Sequence, residues 1–174
     1  MATSSASELH RAAGVWETLA AEAAAESPLW AASLRPLAEQ DRTAVFSLLS
    51  EPLFALGIET IYEGYLLHYG RPRLFRPADA DTALLLGDYL SAHGLVRVAE
   101  TGRVEAVHDL AELISLCAQA RGDGRSGEAE AWAATSALLG QGALGYARTE
   151  LSEHGNATRL IELEIGRASC RERV

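Results

Sequence analysis

Glu59 and Glu63 stand four residues apart, one turn on a helix, so that two carboxylates share one face. Seven residues after Glu63 comes Gly70-Arg71-Pro72, and fifteen after Pro72 comes Gly87-Asp88-Tyr89-Leu90. Asp88 lies among Leu86, Tyr89 and Leu90, where a carboxylate must find donors or face a cavity, because burial without a partner is costly. Read without its surroundings, the Glu59/Glu63 pair also fits a solvated helix face, and Asp88 is the less ordinary of the three carboxylates.

Other patterns carry less chemistry. Gly140, Gly142 and Gly145 spell G-x-G-x-x-G, but a dinucleotide site needs that motif directly after a strand, and an Ala-rich helical pattern precedes it here. Arg121-Gly122-Asp123 reads as a solvated turn, and Asn156-Ala157-Thr158 as an acceptor sequence without a secretion signal. The five histidines (His10, His68, His93, His108 and His154) show no pair at ligand spacing, and Cys117 falls on an apolar helical face with no base beside it. There is no G-x-S-x-G, so nucleophilic catalysis has no sequence support.

These residues must be positioned by helices. Pro and Gly cluster between periodic segments, and no segment alternates with period two. Ser5 and Glu8 form a capping box that opens an Ala-rich helix to about Ala25. Ser27-Pro28 starts the next segment, and Pro36 and Pro52 divide the region after it into two or three short helices. Phe54, Ile58, Ile61 and Tyr65 recur at helical spacing through about Tyr69. Residues 70–77 (GRPRLFRP) form a loop, and Asp79 or Asp81 caps a helix to about Glu100. That helix has Leu84, Leu85, Leu86, Tyr89, Leu90, Leu95, Val96 and Val98, too many for one stripe, which predicts a central, mostly buried helix. After Gly102, Val104, Val107, Leu110, Ile114 and Cys117 predict an amphipathic helix. Residues 121–127 (RGDGRSG) read as a flexible connection, and residues 128–154 as helix interrupted by three glycines. The expectation is an all-α protein, a single helical bundle.

Composition narrows the function. The 174 residues carry 15 basic and 24 acidic side chains, a net charge of −9, and every basic residue is Arg. Chemistry that needs a lysine ammonium is excluded, and nucleic acid or an anionic membrane would be repelled. No apolar stretch is long enough to cross a membrane, and residues 1–7 lack a signal-peptide core, so the expected location is cytoplasmic. The last ten residues, 165–174 (IGRASCRERV), resemble a translated sequencing adapter; on that reading the native sequence stops at about Leu163 or Glu164 and the domain, 1–164, is incomplete. Cys170 belongs to that tail, leaving Cys117 alone, with neither a disulfide framework nor a metal site.

The spacing of the chemical residues resembles the polyprenyl (isoprenyl diphosphate) synthetase family. That family is all-helical around a central cavity, with D-D-x-x-D followed by R-R-G-x-P and then by a helix bearing G-D-x-L. Glu59-Thr60-Ile61-Tyr62-Glu63 falls on the first motif, His68-Tyr69-Gly70-Arg71-Pro72 on the second and Gly87-Asp88-Tyr89-Leu90 on the third. Leu34-Arg35-Pro36-Leu37 resembles the end of the family's G-G-K-x-x-R-P-L segment, and Ala134-Thr135 its later Lys-Thr. The resemblance implies Mg²⁺ bridging carboxylates and a diphosphate. The departures fall on those contacts: Glu, Thr and Glu replace three aspartates, His68 and Tyr69 replace the paired arginines, and Ala32 and Ala134 replace lysines.

The first expectation is therefore a degenerate relative without competent prenyl transfer and without a cofactor. It would act as a non-catalytic subunit or scaffold in isoprenoid metabolism, in a homo-oligomer or packed on an active prenyl synthase. The Ala-rich first helix would supply the interface and the helix at 79–100 the frame. The alternative implied by the same resemblance is an active Mg²⁺-dependent enzyme, with Glu59 and Glu63 on the metal and Arg35, Arg71 and Asp88 on the substrate. A third expectation sets the family aside and keeps a helical interaction module. The family's second aspartate-rich motif would lie beyond Glu164.

Overall fold

A computed structural model describes residues 3–163, with side chains from residue 14 onward. The tail 165–174, Cys170 and the side chains of Ser5, Glu8 and His10 lie outside that description. Among the described residues the regular structure is helical, without a strand, as the sequence predicts. The described chain divides into two compact units, one within residues 3–47 and 53–97 and the other within residues 48–52 and 98–163.

The first unit begins with α1 (Thr3–Glu26), which buries Trp16, Leu19 and Ala23 at helical spacing. Ser27 accepts from Leu29 N–H and caps α2 (Pro28–Ser33). Three single 3₁₀ turns come next, at Leu37–Glu39, Ser47–Leu49 and Pro52–Phe54, the last two crossing the boundary between the units. They are the short pieces expected where Pro36 and Pro52 deny the helix a donor. Then come α3 (Ala55–Tyr69) and, after the loop, α4 (Ala80–Ala99), with Asp79 Oδ1 accepting from Thr82 N–H at 2.7 Å as the cap. Trp16, Leu19, Ala23, Leu67, Leu74, Phe75, Leu86 and Leu90 form one core.

Helices α3 and α4 run antiparallel and touch through glycine. A Cβ on Gly64 would lie 2.8 Å from the Gly87 carbonyl oxygen, and one on Gly94 would lie 2.4 Å from Ile61 Cγ1 and 2.9 Å from the Gly57 carbonyl oxygen. Only residues without a side chain allow backbones this close. The expectation of a mostly buried α4 is corrected. Thr82, Leu86, Leu90, Gly94 and Val98 make one buried stripe, whereas Leu84, Leu85 and Val96 are 54%, 56% and 55% exposed. Beside that stripe Ala83 and Tyr89 pack on the core and His93 and Arg97 meet Glu22 of α1, so the open side is the one carrying Leu84, Leu85 and Val96.

In the second unit, α5 (Val104–Gly122), α6 (Glu128–Ala137) and α7 (Gly145–His154) pack around Leu110, Leu113, Trp132, Leu144 and Leu151. Residues 158–163 form a further helical turn, with Asn156 Oδ1 accepting from Thr158 N–H. The buried stripe of α5 is Ala106, Asp109, Leu110, Leu113, Leu116, Cys117 and Ala120. It is rotated from the predicted one, so Val104 is exposed, because Asp109 turns inward to meet a buried arginine. The connection 121–127 is tied back by Arg125, whose guanidinium donates to the Ser152 carbonyl and to Asp123.

Candidate functional site

Glu59 and Glu63 lie on the inner side of α3, 1% and 0% exposed, so the solvated-face reading does not hold. Their cation is Arg73, in the loop after that helix. The loop is held extended against residues 33–41. Arg35 N–H donates to the Leu74 carbonyl at 2.9 Å, Asp41 N–H to Arg73 at 3.2 Å, and Arg76 N–H to Ser33 at 2.7 Å. The pinned backbone aims Arg73 back across α3. Its Nη1 donates to Glu59 Oε2 at 2.9 Å and to the Thr43 carbonyl at 2.9 Å, and its Nε donates to Glu63 Oε2 at 3.1 Å.

The remaining carboxylate oxygens are also engaged. Glu63 Oε1 accepts from Leu74 N–H at 2.8 Å. Glu59 Oε1 accepts from the Ser47 hydroxyl at 2.5 Å and from the Val45 and Ser47 amides at 3.3 Å. Rings flank the guanidinium: its carbon is 4.6 Å from the Trp16 ring centre and 4.9 Å from that of Tyr62. Each such cation–π contact adds about 0.5–2 kcal/mol. Burial pushes the Glu63 carboxyl above its ordinary value, opposed by Arg73 and by the Leu74 amide. The Tyr62 phenol is raised by burial as well.

This arrangement does not fit Mg²⁺. All four carboxylate oxygens already accept hydrogen bonds, and a guanidinium occupies the place between the carboxylates that a metal would need. Among the described residues, no group of three or more His, Cys, Asp or Glu is placed to hold a metal ion.

The other residues singled out by sequence do not join the cluster. Arg35 donates from Nε to the Phe75 carbonyl at 2.9 Å and so braces the loop that carries Arg73. Arg71 is exposed. Asp88, expected among leucines, is corrected to the outer face of α4; its side chain is 70% exposed and Oδ1 lies 3.3 Å from His68 Nε2. His68 and Asp88, from two motifs of the resemblance, are thus neighbours across the α3–α4 contact. Arg73 is not among the residues that the sequence motifs single out. The available signal was an acid pair one turn apart, with an arginine between apolar residues in the next loop.

The second unit repeats the device. Arg148 of α7, buried, donates from Nη1 to Asp109 Oδ1 at 3.1 Å and to Glu112 Oε2 at 2.5 Å, and from Nη2 to the Asp109 carbonyl at 2.9 Å. Asp109 Oδ2 accepts from Gly140 N–H at 2.7 Å. The glycine-rich segment is therefore a turn, with positive φ at Gly140 and Gly142, and its amide binds an internal carboxylate. A groove of about 410 Å³ runs between α5 and α7 past His108, Glu112, Gln119, Arg148 and Glu153. Cys117 is buried and its thiol is pushed up to about 12, by burial first and the Glu128 charge second.

No family model matches the chain, no curated protein matches it, and no solved structure matches it.

Proposed function

We propose that this chain is a non-catalytic helical scaffold that holds a protein partner, and that Glu59 and Glu63 serve its fold. The observation that carries this reading is the engagement of both carboxylates by Arg73, with every oxygen accepting a hydrogen bond. A metal site for diphosphate chemistry presents carboxylate oxygens to the ion and leaves room for substrate; here the counter-charge comes from the chain itself. Arg35 works on the loop, and Arg71 and Asp88 stand apart, so these three positions do not converge on a diphosphate. The narrower form of the proposal, a subunit packed on a prenyl synthase, rests on the sequence resemblance alone.

Calorimetric titration of geranylgeranyl diphosphate into the whole chain, with and without Mg²⁺, tests it. No saturable heat is expected in either titration. Metal-dependent binding that disappears in Glu59→Gln with Glu63→Gln would overturn the scaffold reading and place a working site at those carboxylates.

A further inference from the structure

We propose that the outer face of α4 is where the partner docks, and that the partner element is an amphipathic helix carrying two cations seven residues apart beside its apolar stripe. The inference rests on the scaffold reading and names the partner's chemistry. Helix α4 carries apolar residues on opposite sides, Leu86, Leu90 and Val98 inward and Leu84, Leu85 and Val96 outward. Within its own unit the helix is covered along the Thr82–Val98 stripe and beside it at Ala83, Tyr89, His93 and Arg97, which leaves the opposite side open. Leu84, Leu85 and Val96 stay more than half exposed, with Ala92 exposed between them. Large apolar side chains gathered on one helix face and edged by charged residues suit an interaction surface better than the same residues scattered singly.

Charge selects the occupant. Asp81 and Asp88, both exposed, lie on this face two turns apart, and its exposed residues between 81 and 96 include no cation. Arg97, the arginine of α4 itself, is paired with Glu22 on α1. A second copy of the chain would set one acidic stripe against another, with only the largely buried His68 beside Asp88 to answer it, and an anionic lipid surface would be repelled. A helix bearing Arg or Lys at i and i+7 meets Asp81 and Asp88 while its leucines cover Leu84, Leu85 and Val96. The face is rigid before binding, because Gly64 and Gly94 lock α4 onto α3 and Glu22 ties it to α1; docking would then order few side chains.

The probe is a synthetic amphipathic peptide of about twenty residues, long enough to form helix on a surface, with leucines at helical spacing and two arginines seven apart. A twin carries glutamate in place of arginine. Fluorescence anisotropy with the whole chain is expected to show saturable binding of the arginine peptide, and at least about tenfold weaker binding of the twin. Leu85→Glu with Val96→Glu, both exposed and compatible with unchanged circular dichroism, should abolish it. Asp81→Arg with Asp88→Arg should invert the preference between the peptides. Equal binding of the two peptides, or undiminished binding to the Leu85→Glu/Val96→Glu chain, would overturn the proposal. So would a wild-type dimer that this same variant makes monomeric, since a second copy would then cover the face. These outcomes leave the scaffold reading standing, whereas Mg²⁺-dependent diphosphate binding would remove it whatever the peptides do.

Discussion

Arg73 illustrates how a buried charge can be required by its partners without adding much net stability. Taking three charged groups out of water is costly, and their mutual attraction offsets that cost only with full hydrogen bonding. Removing the cation alone strands both carboxylates. Arg73→Met is therefore expected to lower unfolding stability by about 3–5 kcal/mol in urea titrations. The loss should also depend on pH. The Glu63 carboxyl already lies above its ordinary value of 4.5 in the folded chain, because burial outweighs Arg73 and the Leu74 amide. A raised acid binds its proton more readily when folded, so its contribution is present below about 4.5 and lost as pH rises through the folded value. Without Arg73 that rise must grow, so the deficit of the variant should shrink on going from about pH 7.5 to about pH 5. A deficit independent of pH would mean that the carboxylates are not left ionised and alone.

At the scale of elements, α3 and α4 depend on glycine where their backbones meet. Gly94→Ala would put a methyl group against Ile61 and the Gly57 carbonyl, and Gly64→Ala would put one against the Gly87 carbonyl. Each is expected to cost about 1–3 kcal/mol in chemical unfolding, the range for overpacking. Gly145→Ala, at the start of α7 with nothing within 4 Å, should be near neutral or slightly stabilising. Equal effects at the three sites would mean that the two helices do not depend on close approach. The helices themselves were legible in the sequence through periodicity, through Ser27-Pro28 as a start, through Asp79 or Asp81 as a cap (the structure uses Asp79), and through prolines as breaks. Which face each helix buries was less so. Apolar counting alone made α4 central, because it could not show that the open side is the one carrying Leu84, Leu85 and Val96. On α5 the buried stripe includes Asp109, a residue that periodicity places outside until Arg148 is known to meet it.

Across the whole molecule, two compact units share one device: two acids a turn apart on a helix, answered by a buried arginine from later in the chain. The acid pair Glu59/Glu63 was visible in the sequence, but its partner was not, because an ion pair ten or more residues apart has no local signature. The exposed surface of α4 adds an acidic, apolar face to a chain of net charge −9. At Glu59 and Glu63 the charge that answers the carboxylates is the Arg73 guanidinium. The most direct test of that pairing is urea unfolding of the whole chain in EDTA and in excess Mg²⁺ with geranylgeranyl diphosphate. A ligand that binds the native state at a hundred times its Kd adds about 2.7 kcal/mol. The predicted result is coincident unfolding curves in the two media; a stabilisation of that size, lost in Glu59→Gln with Glu63→Gln, would contradict it.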